Sequence, residues 1–543
     1  MTRRQSGLGT ILAREADEMS WIDAARGELT VRRPTLGLRA HGVVVRRALA
    51  AVGLLVLLGI SLVLRVRGLD AHFWVDEGLA VGIASHPLAH IPALLAQDGS
   101  PPLYYVLLHL WMGVAGHGEV ATHELSLIFS LLTVPAAFWA GTSLFGARAG
   151  WIAAALAAFD PFITAYGQET RMYSLVVLLS LVSASAFVHA FVWRRRGHIP
   201  LFAVALALTL YTHNWGLYLG AMAAAAFALL LRASKGPERR ALARDGALAF
   251  GAVALLYAPW LPTLVSQVLH TGAPWATPPV LWDLSRGGYA ATGGRGAAIG
   301  LLLAVGVGLS AVWSRRDRLE LRMLGTLLLL GPGVLLLAWT VAKLFPGWAE
   351  RYLAVAVGPA LVLAAFGLRR AGRLGMVALA LVLSFWILDP GDHTINRKSN
   401  VAAIAQQARH RLHPGDLVLS SQPEQVPVLR YYLGPHVRFG TPLGRVSDTG
   451  VMDWRDAVAR MRRESSRRTL LPLVDQLGSG RHVLLVVPIW HQRDAPWARV
   501  VVARSKQWLH ALRRDPRLVL VGDLRRGVDS AGVPVRALLF RTL

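Results

Sequence analysis

The chain has 543 residues, 54% of them hydrophobic and only 16% charged, which is not a soluble globular composition. It has no cysteine, so disulfides, thiol catalysis and Cys-ligated metals are excluded. A net charge of +25 invites a nucleic-acid partner, but the arginines cluster between long apolar blocks, so no nucleic acid is expected.

Residues 1–44 mix arginine with acids and lack an apolar h-region, which predicts a cytoplasmic tail rather than a cleavable signal. Apolar segments follow at about 45–64, 101–116, 122–144, 148–164, 172–193, 198–212, 214–232, 245–264, 297–314, 323–343, 350–368 and 372–388. A helix needs roughly 20 such residues to cross the hydrocarbon core, and several segments meet that alone. The result is an α-helical polytopic membrane protein, in contact with membrane lipids over residues 45–390.

Arginine clusters at 194–196, 232–244, 315–318 and 369–373 recur at every second loop, the positive-inside pattern. The alternate loops, 65–100, 166–172, 212–215, 265–296 and 343–351, then share the outer face with the C-terminal tail. An inside N-terminus and an outside C-terminus need an odd number of crossings, and the segments number twelve. The missing crossing is expected between Pro101 and Asp160, where Pro135 would break a helix. Thirteen spans are expected, within a range of 11–13.

The outer loops carry the polar motifs. The first holds Trp74-Val75-Asp76-Glu77, then Asp98-Gly-Ser-Pro-Pro-Leu-Tyr104-Tyr105. The second is Tyr166-Gly-Gln168-Glu169-Thr-Arg171-Met-Tyr173, followed by Tyr211-Thr-His213-Asn214 and, later, Glu350-Arg351-Tyr352. Acids this close to a bilayer are costly to desolvate and tend to be kept for a function; the other reading of Asp76 is a helix cap. A carboxylate within hydrogen-bond reach can take the proton of a sugar hydroxyl, and partial burial strengthens it as a base. Arg171 and Arg351 suit a phosphate leaving group, or else snorkel to headgroups from helix ends. Tyr104 and Tyr105 are donor-site candidates or members of an aromatic belt. The long loop 265–296, with Trp275, Trp282 and Tyr289, reads as a lid over the acceptor.

The tail, residues 391–543, differs: strand-length runs at 416–420 and 482–488 alternate with helical spacing at 453–468 and 496–514, a small soluble α/β domain. From Ile395 it carries 25 Lys/Arg against 11 Asp/Glu, suited to anionic headgroups, to an acidic glycan, or simply to solvent.

Taken together, the order and shared face of these motifs resemble the polytopic glycosyltransferases of the GT-C fold, closest to family 39, the protein O-mannosyltransferases and aminoarabinose transferases. The resemblance covers roughly residues 45–390. It implies a bacterial plasma (inner) membrane enzyme with its active site and C-terminal domain outside, using a polyprenyl-phosphate-linked sugar such as a mannose. The acceptor would be a glycan, a lipid or a protein. In the family the first acid of the Asp-Glu pair is the usual base, which matches Asp76 with Glu77 beside it as catalytic residues. Tyr104, Tyr105, Gln168, Glu169, Arg171, Tyr173, His213, Arg351 and Tyr352 would bind substrate. Ser100 stands where relatives often carry His or Asn. No spacing demands a metal, although Asp76, Glu169 and a histidine would suffice for a divalent ion. A transporter or flippase of lipid-linked saccharides is the alternative, expected to show inverted repeats and broken midplane helices.

Overall fold

A computed structural model describes residues 36–388, 398–490, 494–530 and 532–543. The expected tail lies outside the described residues up to position 35, as does the junction 389–397 between the apolar part and the C-terminal domain. Residues Leu57–Leu543 form one compact unit, and the described residues before it belong to the first helix, Leu36–Arg65.

Among the described residues, eight helices are long and apolar enough to cross a membrane: Arg47–Gly68, Glu119–Phe145, Tyr173–Val192, Gly216–Ala233, Gly236–His270, Arg295–Ser314, Arg318–Leu344 and Glu350–Arg370. Helices Ala147–Phe159, Ile199–Thr212 and Gly372–Leu388 fall on the remaining expected spans except one. The crossing expected at Pro135 does not exist. Glu119–Phe145 is a single continuous helix with Pro135 inside it, packed closely on its neighbour: a Cβ at Gly141 would sit 2.6 Å from the Ala149 carbonyl. Neighbouring helices commonly make proline tolerable in membrane helices.

Leu103–Ala115, on the twelfth expected segment, is a 13-residue helix of about 20 Å, as short as Ala147–Phe159. Its His109 meets the Ala84 carbonyl at 2.8 Å, and its Trp111 indole donates to the Ala121 carbonyl at 2.6 Å. The long loop 265–296 is also more ordered than a bare lid. It contains the end of the Leu261–His270 helix and all of Leu281–Ala291, and Trp275 packs edge-on against Trp454 at 5.2 Å.

The C-terminal domain is a six-stranded mixed sheet in the order β3-β2-β1-β4-β6-β5, with β1 Leu417–Ser420, β2 Arg438–Thr441, β3 Gly444–Arg445, β4 His482–Pro488, β5 Leu518–Leu524 and β6 Val535–Thr542. β1 lies parallel to β2 and β4, while β6 runs antiparallel to β4 and β5. The two strands expected from sequence are β1 and β4, and the expected helix at 496–514 is Pro496–Arg514. The stretch 453–468 holds only the short helix Ala457–Arg463, because Glu464 turns extended after it.

This domain seats on the motif-bearing end of the bundle. Val75 and Leu79 share an apolar cluster with Met452, Trp454, Trp497 and Val501. The approach is close enough to require glycine twice: a Cβ at Gly78 would lie 2.6 Å from that of Val428, and one at Gly82 would lie 2.2 Å from the Gly450 carbonyl. Backbone bonds stitch the rest, from Trp454 to Gln97, from Asp456 to His270 and from Trp497 to Pro274.

Candidate active site

The Asp-Glu pair occupies the first turn of the helix Val75–Ala84, entered from an extended Trp74. Acids are favoured there by the helix dipole and the free N–H groups. The two side chains have separate fates.

Glu77 is completely buried and fully engaged. Its Oε1 accepts from His123 Nε2 at 2.7 Å and from the Thr170 amide at 2.9 Å, and its Oε2 from Lys398 Nζ at 2.8 Å and the Trp74 amide at 3.3 Å. Burial alone pushes its carboxyl up, but the Lys398 and His123 charges overcome this and hold it well below the usual carboxylate range. His123 also meets the Leu69 carbonyl at 2.8 Å. With roughly four lone-pair sites occupied by protein donors, Glu77 has none left for a substrate proton in this arrangement.

Asp76 points the other way, 20% exposed, and among the described residues no group hydrogen-bonds its carboxylate. Its Oδ2 lies 3.6 Å from the Arg351 guanidinium. Arg171 donates to the Asp76 main-chain carbonyl at 3.2 Å and to the Tyr105 hydroxyl at 3.3 Å. Arg351 also lies over Trp74, 5.6 Å from the ring, and over Tyr352 at 5.2 Å. Tyr352 packs 4.6 Å from His213 and 6.3 Å from Tyr173. The His213 Nδ1 accepts from the Trp215 amide at 3.1 Å, which leaves the proton on Nε2. Burial, with Arg171 and Arg351 nearby, pushes His213 down to about 3, so the ring is neutral.

Three buried donors in this wall have no hydrogen-bond partner among the described residues: Nε of Arg171, Nε of Arg351 and the Tyr173 hydroxyl. Unpaired buried donors are rare and costly. Together with two guanidinium charges they suit an anion with several acceptor oxygens, beside a carboxylate that can take a proton.

The remaining expected residues stand back from this wall. The Glu169 carboxylate accepts from the Trp74 indole at 2.6 Å, and burial raises its pKa. Tyr104 bonds to Ser126 at 2.9 Å, and Ser126 donates to the Arg171 carbonyl, so Tyr104 supports the loop from behind. The Gln168 amide turns back to the Thr164 carbonyl at 3.1 Å. Among the described residues, no three histidine and acid ligand atoms converge on Asp76.

Sequence reasoning missed His123 and Lys398, which meet Glu77 from 46 and 321 residues away. The only signal for Lys398 was its rarity, as one of four lysines in an arginine-rich chain. Asp98 was quoted without a role. Burial raises its carboxyl, and Arg171 and Asp76 both act on it electrostatically.

No protein-family description matches this chain, and no curated protein sequence does. Solved structures do. The apo crystal structure of ArnT from Cupriavidus metallidurans is similar over 91% of this chain and 98% of its own, with a TM-score of 0.62 at 14% identity. ArnT bound to undecaprenyl phosphate gives 0.58 at 13% identity, covering 90% and 98%. The arabinofuranosyltransferase AftD from Mycobacteria gives 0.51 at 16% identity, over 90% of this chain and 41% of AftD. At such identities the likeness is one of architecture, and the chain has the GT-C fold of these membrane glycosyltransferases.

Proposed function

We propose that the chain is an integral membrane glycosyltransferase. It moves a sugar from a polyprenyl-phosphate donor to a hydroxyl of an extracytoplasmic glycan, lipid or protein, with inversion. The observation that carries this reading is the juxtaposition of Asp76, a carboxylate with free lone pairs, and two arginines with unpartnered Nε groups. The GT-C fold supports it, as does the carrier lipid bound by the similar ArnT, undecaprenyl phosphate.

In the reaction, Asp76 accepts the proton of the acceptor hydroxyl as its oxygen attacks the anomeric carbon. The carbon–oxygen bond to phosphate breaks, and the polyprenyl phosphate leaves with the electron pair. Arg171 and Arg351 neutralise the charge that develops on it. The long Asp76–Arg351 contact suits an exchange in which the donor phosphate draws Arg351 away and frees the base. Tyr352, Tyr173 and Trp74 offer faces for the sugar ring, and His213 offers an N–H.

The flippase alternative is disfavoured, since Asp76, Arg171 and Arg351 all sit at helix ends and not at mid-span. Mannose stays the sugar implied by the resemblance to family 39; the test assigns it. Membranes holding wild type or Asp76→Asn are offered a panel of radiolabelled polyprenyl-phosphate sugars. Transfer by wild type, reduced about 10²-fold or more in the variant, is the expected result. Full activity in Asp76→Asn would overturn the base assignment, and no transfer from any donor would overturn the enzyme class.

A further inference from the structure

At the entry to the two central strands of the C-terminal sheet, three side chains converge on one point. His413 and Asp416 lie in the turn leading into β1, and His482 opens β4, the strand beside it. His482 Nδ1 lies 3.3 Å from Asp416 Oδ2 and His413 Nδ1 lies 3.8 Å from the same oxygen, and all three ligand atoms fall within 4.8 Å of one another. The two rings stand nearly parallel, 5.9 Å apart.

We propose that these residues form a binding site for a divalent transition-metal ion of the zinc type. Ligand atoms about 2.0–2.1 Å from a tetrahedral zinc lie about 3.3–3.4 Å from one another; the His482–Asp416 pair is already there, and closing the rest of the set takes a rotation of the exposed His413 ring by about 1 Å. Two imidazoles and one carboxylate are the ligand set such an ion takes, with water completing the shell. Two observations separate this from an ordinary capping aspartate. The His482 Nδ1 is buried yet makes no hydrogen bond, although a carboxylate oxygen stands beside it. Asp416, only 1% exposed, is already held by backbone donors, the His413 amide at 2.8 Å and the His482 amide at 3.1 Å, as a pre-oriented metal ligand would be. Among the described residues, the Lys or Arg paired with Asp416 is Arg481, which is turned toward the Pro414 carbonyl at 2.8 Å and stays 3.9 Å from Asp416 Oδ1. The ion would tie the turn before β1 to the start of β4, two neighbours at the centre of the sheet.

The full-length protein, purified in detergent through a tag without histidines and stripped with chelator, is titrated with zinc and with cobalt. One equivalent is expected, with a cobalt visible spectrum typical of four-coordination. His413→Ala, whose side chain is 66% exposed and whose loss should leave the fold intact, and His482→Gln should each weaken binding by at least 10²-fold and abolish that spectrum. Far-UV circular dichroism confirms that each variant is folded. Absence of binding by wild type would overturn the proposal, as would a bound equivalent that survives both substitutions. Because neither histidine touches the Asp76 wall, sugar transfer by these variants is read separately, so this proposal and the enzymatic one can fail independently.

Discussion

The Lys398 ammonium, carried by the C-terminal domain, lies 2.8 Å from the buried carboxylate of Glu77 in the first outer loop. Removing one partner of a buried pair leaves an uncompensated charge and costs about 3–5 kcal/mol. Lys398→Met should therefore lower the thermal midpoint sharply and reduce transfer, although Lys398 does not face Asp76. The double variant Glu77→Gln/Lys398→Met should recover part of the stability, as a double-mutant cycle would show. Since Glu77 is held below its unfolded pKa of about 4.3, its contribution is complete above that pH and fades as pH falls. Acid unfolding should lose that component in the double variant.

Glu424 behaves in the opposite sense. Burial lifts its carboxyl to about 7, against hydrogen bonds from the Trp497 indole and the Gln422 amide, both to Oε1. A raised folded pKa stabilises fully below the unfolded value and is lost as pH rises through the folded one. Stability should decline from about pH 4.5 to pH 7 by roughly 3 kcal/mol. Glu424→Gln should flatten that slope in denaturation measured across pH, and an unchanged slope would refute the assignment.

The seam between domain and bundle can be wedged open without changing a polar side chain. Gly82→Ala places a Cβ against the Gly450 carbonyl, and overpacking of this kind costs about 1–3 kcal/mol. Transfer should fall with it. Gly59→Ala meets no atom within 4 Å and serves as the control, expected to be neutral in both assays.

Arg351 and Arg171 should differ under substitution. Arg351 pairs loosely with Asp76, so Arg351→Gln should weaken donor binding and lower kcat while leaving the fold intact. Arg171 also anchors the Asp76 carbonyl and Tyr105. Arg171→Lys, which replaces the guanidinium whose Nη1 makes both contacts by a shorter-reaching ammonium, should cost at least as much as Arg351→Lys. Steady-state kinetics on the identified donor decides the order.

Sidedness is testable because the chain lacks cysteine. A single cysteine replacing the exposed Arg455 should react with an impermeant maleimide on intact cells. One replacing the exposed Arg240 should react only after permeabilisation. The reverse pattern would invert the proposed topology.

Much of this was legible in the sequence because the signals are local. The apolar blocks, the arginine-rich loops and the Asp76, Arg171 and Arg351 motifs each report on a stretch of a few to 20 residues. What escaped was set by partners far away. Pro135 looked like a break because local propensity says nothing of the packing around Gly141. Glu77 looked like a second base because Lys398 and His123, which saturate it, lie 321 and 46 residues away.

The same separation bears on biogenesis. The helices through Leu388 can insert as they emerge from the ribosome, but until Lys398 is synthesised Glu77 has only His123 and the Thr170 and Trp74 amides as partners. The site is thus finished last, and a chain stopped near residue 388 should be inserted with its buried acid short of a lysine.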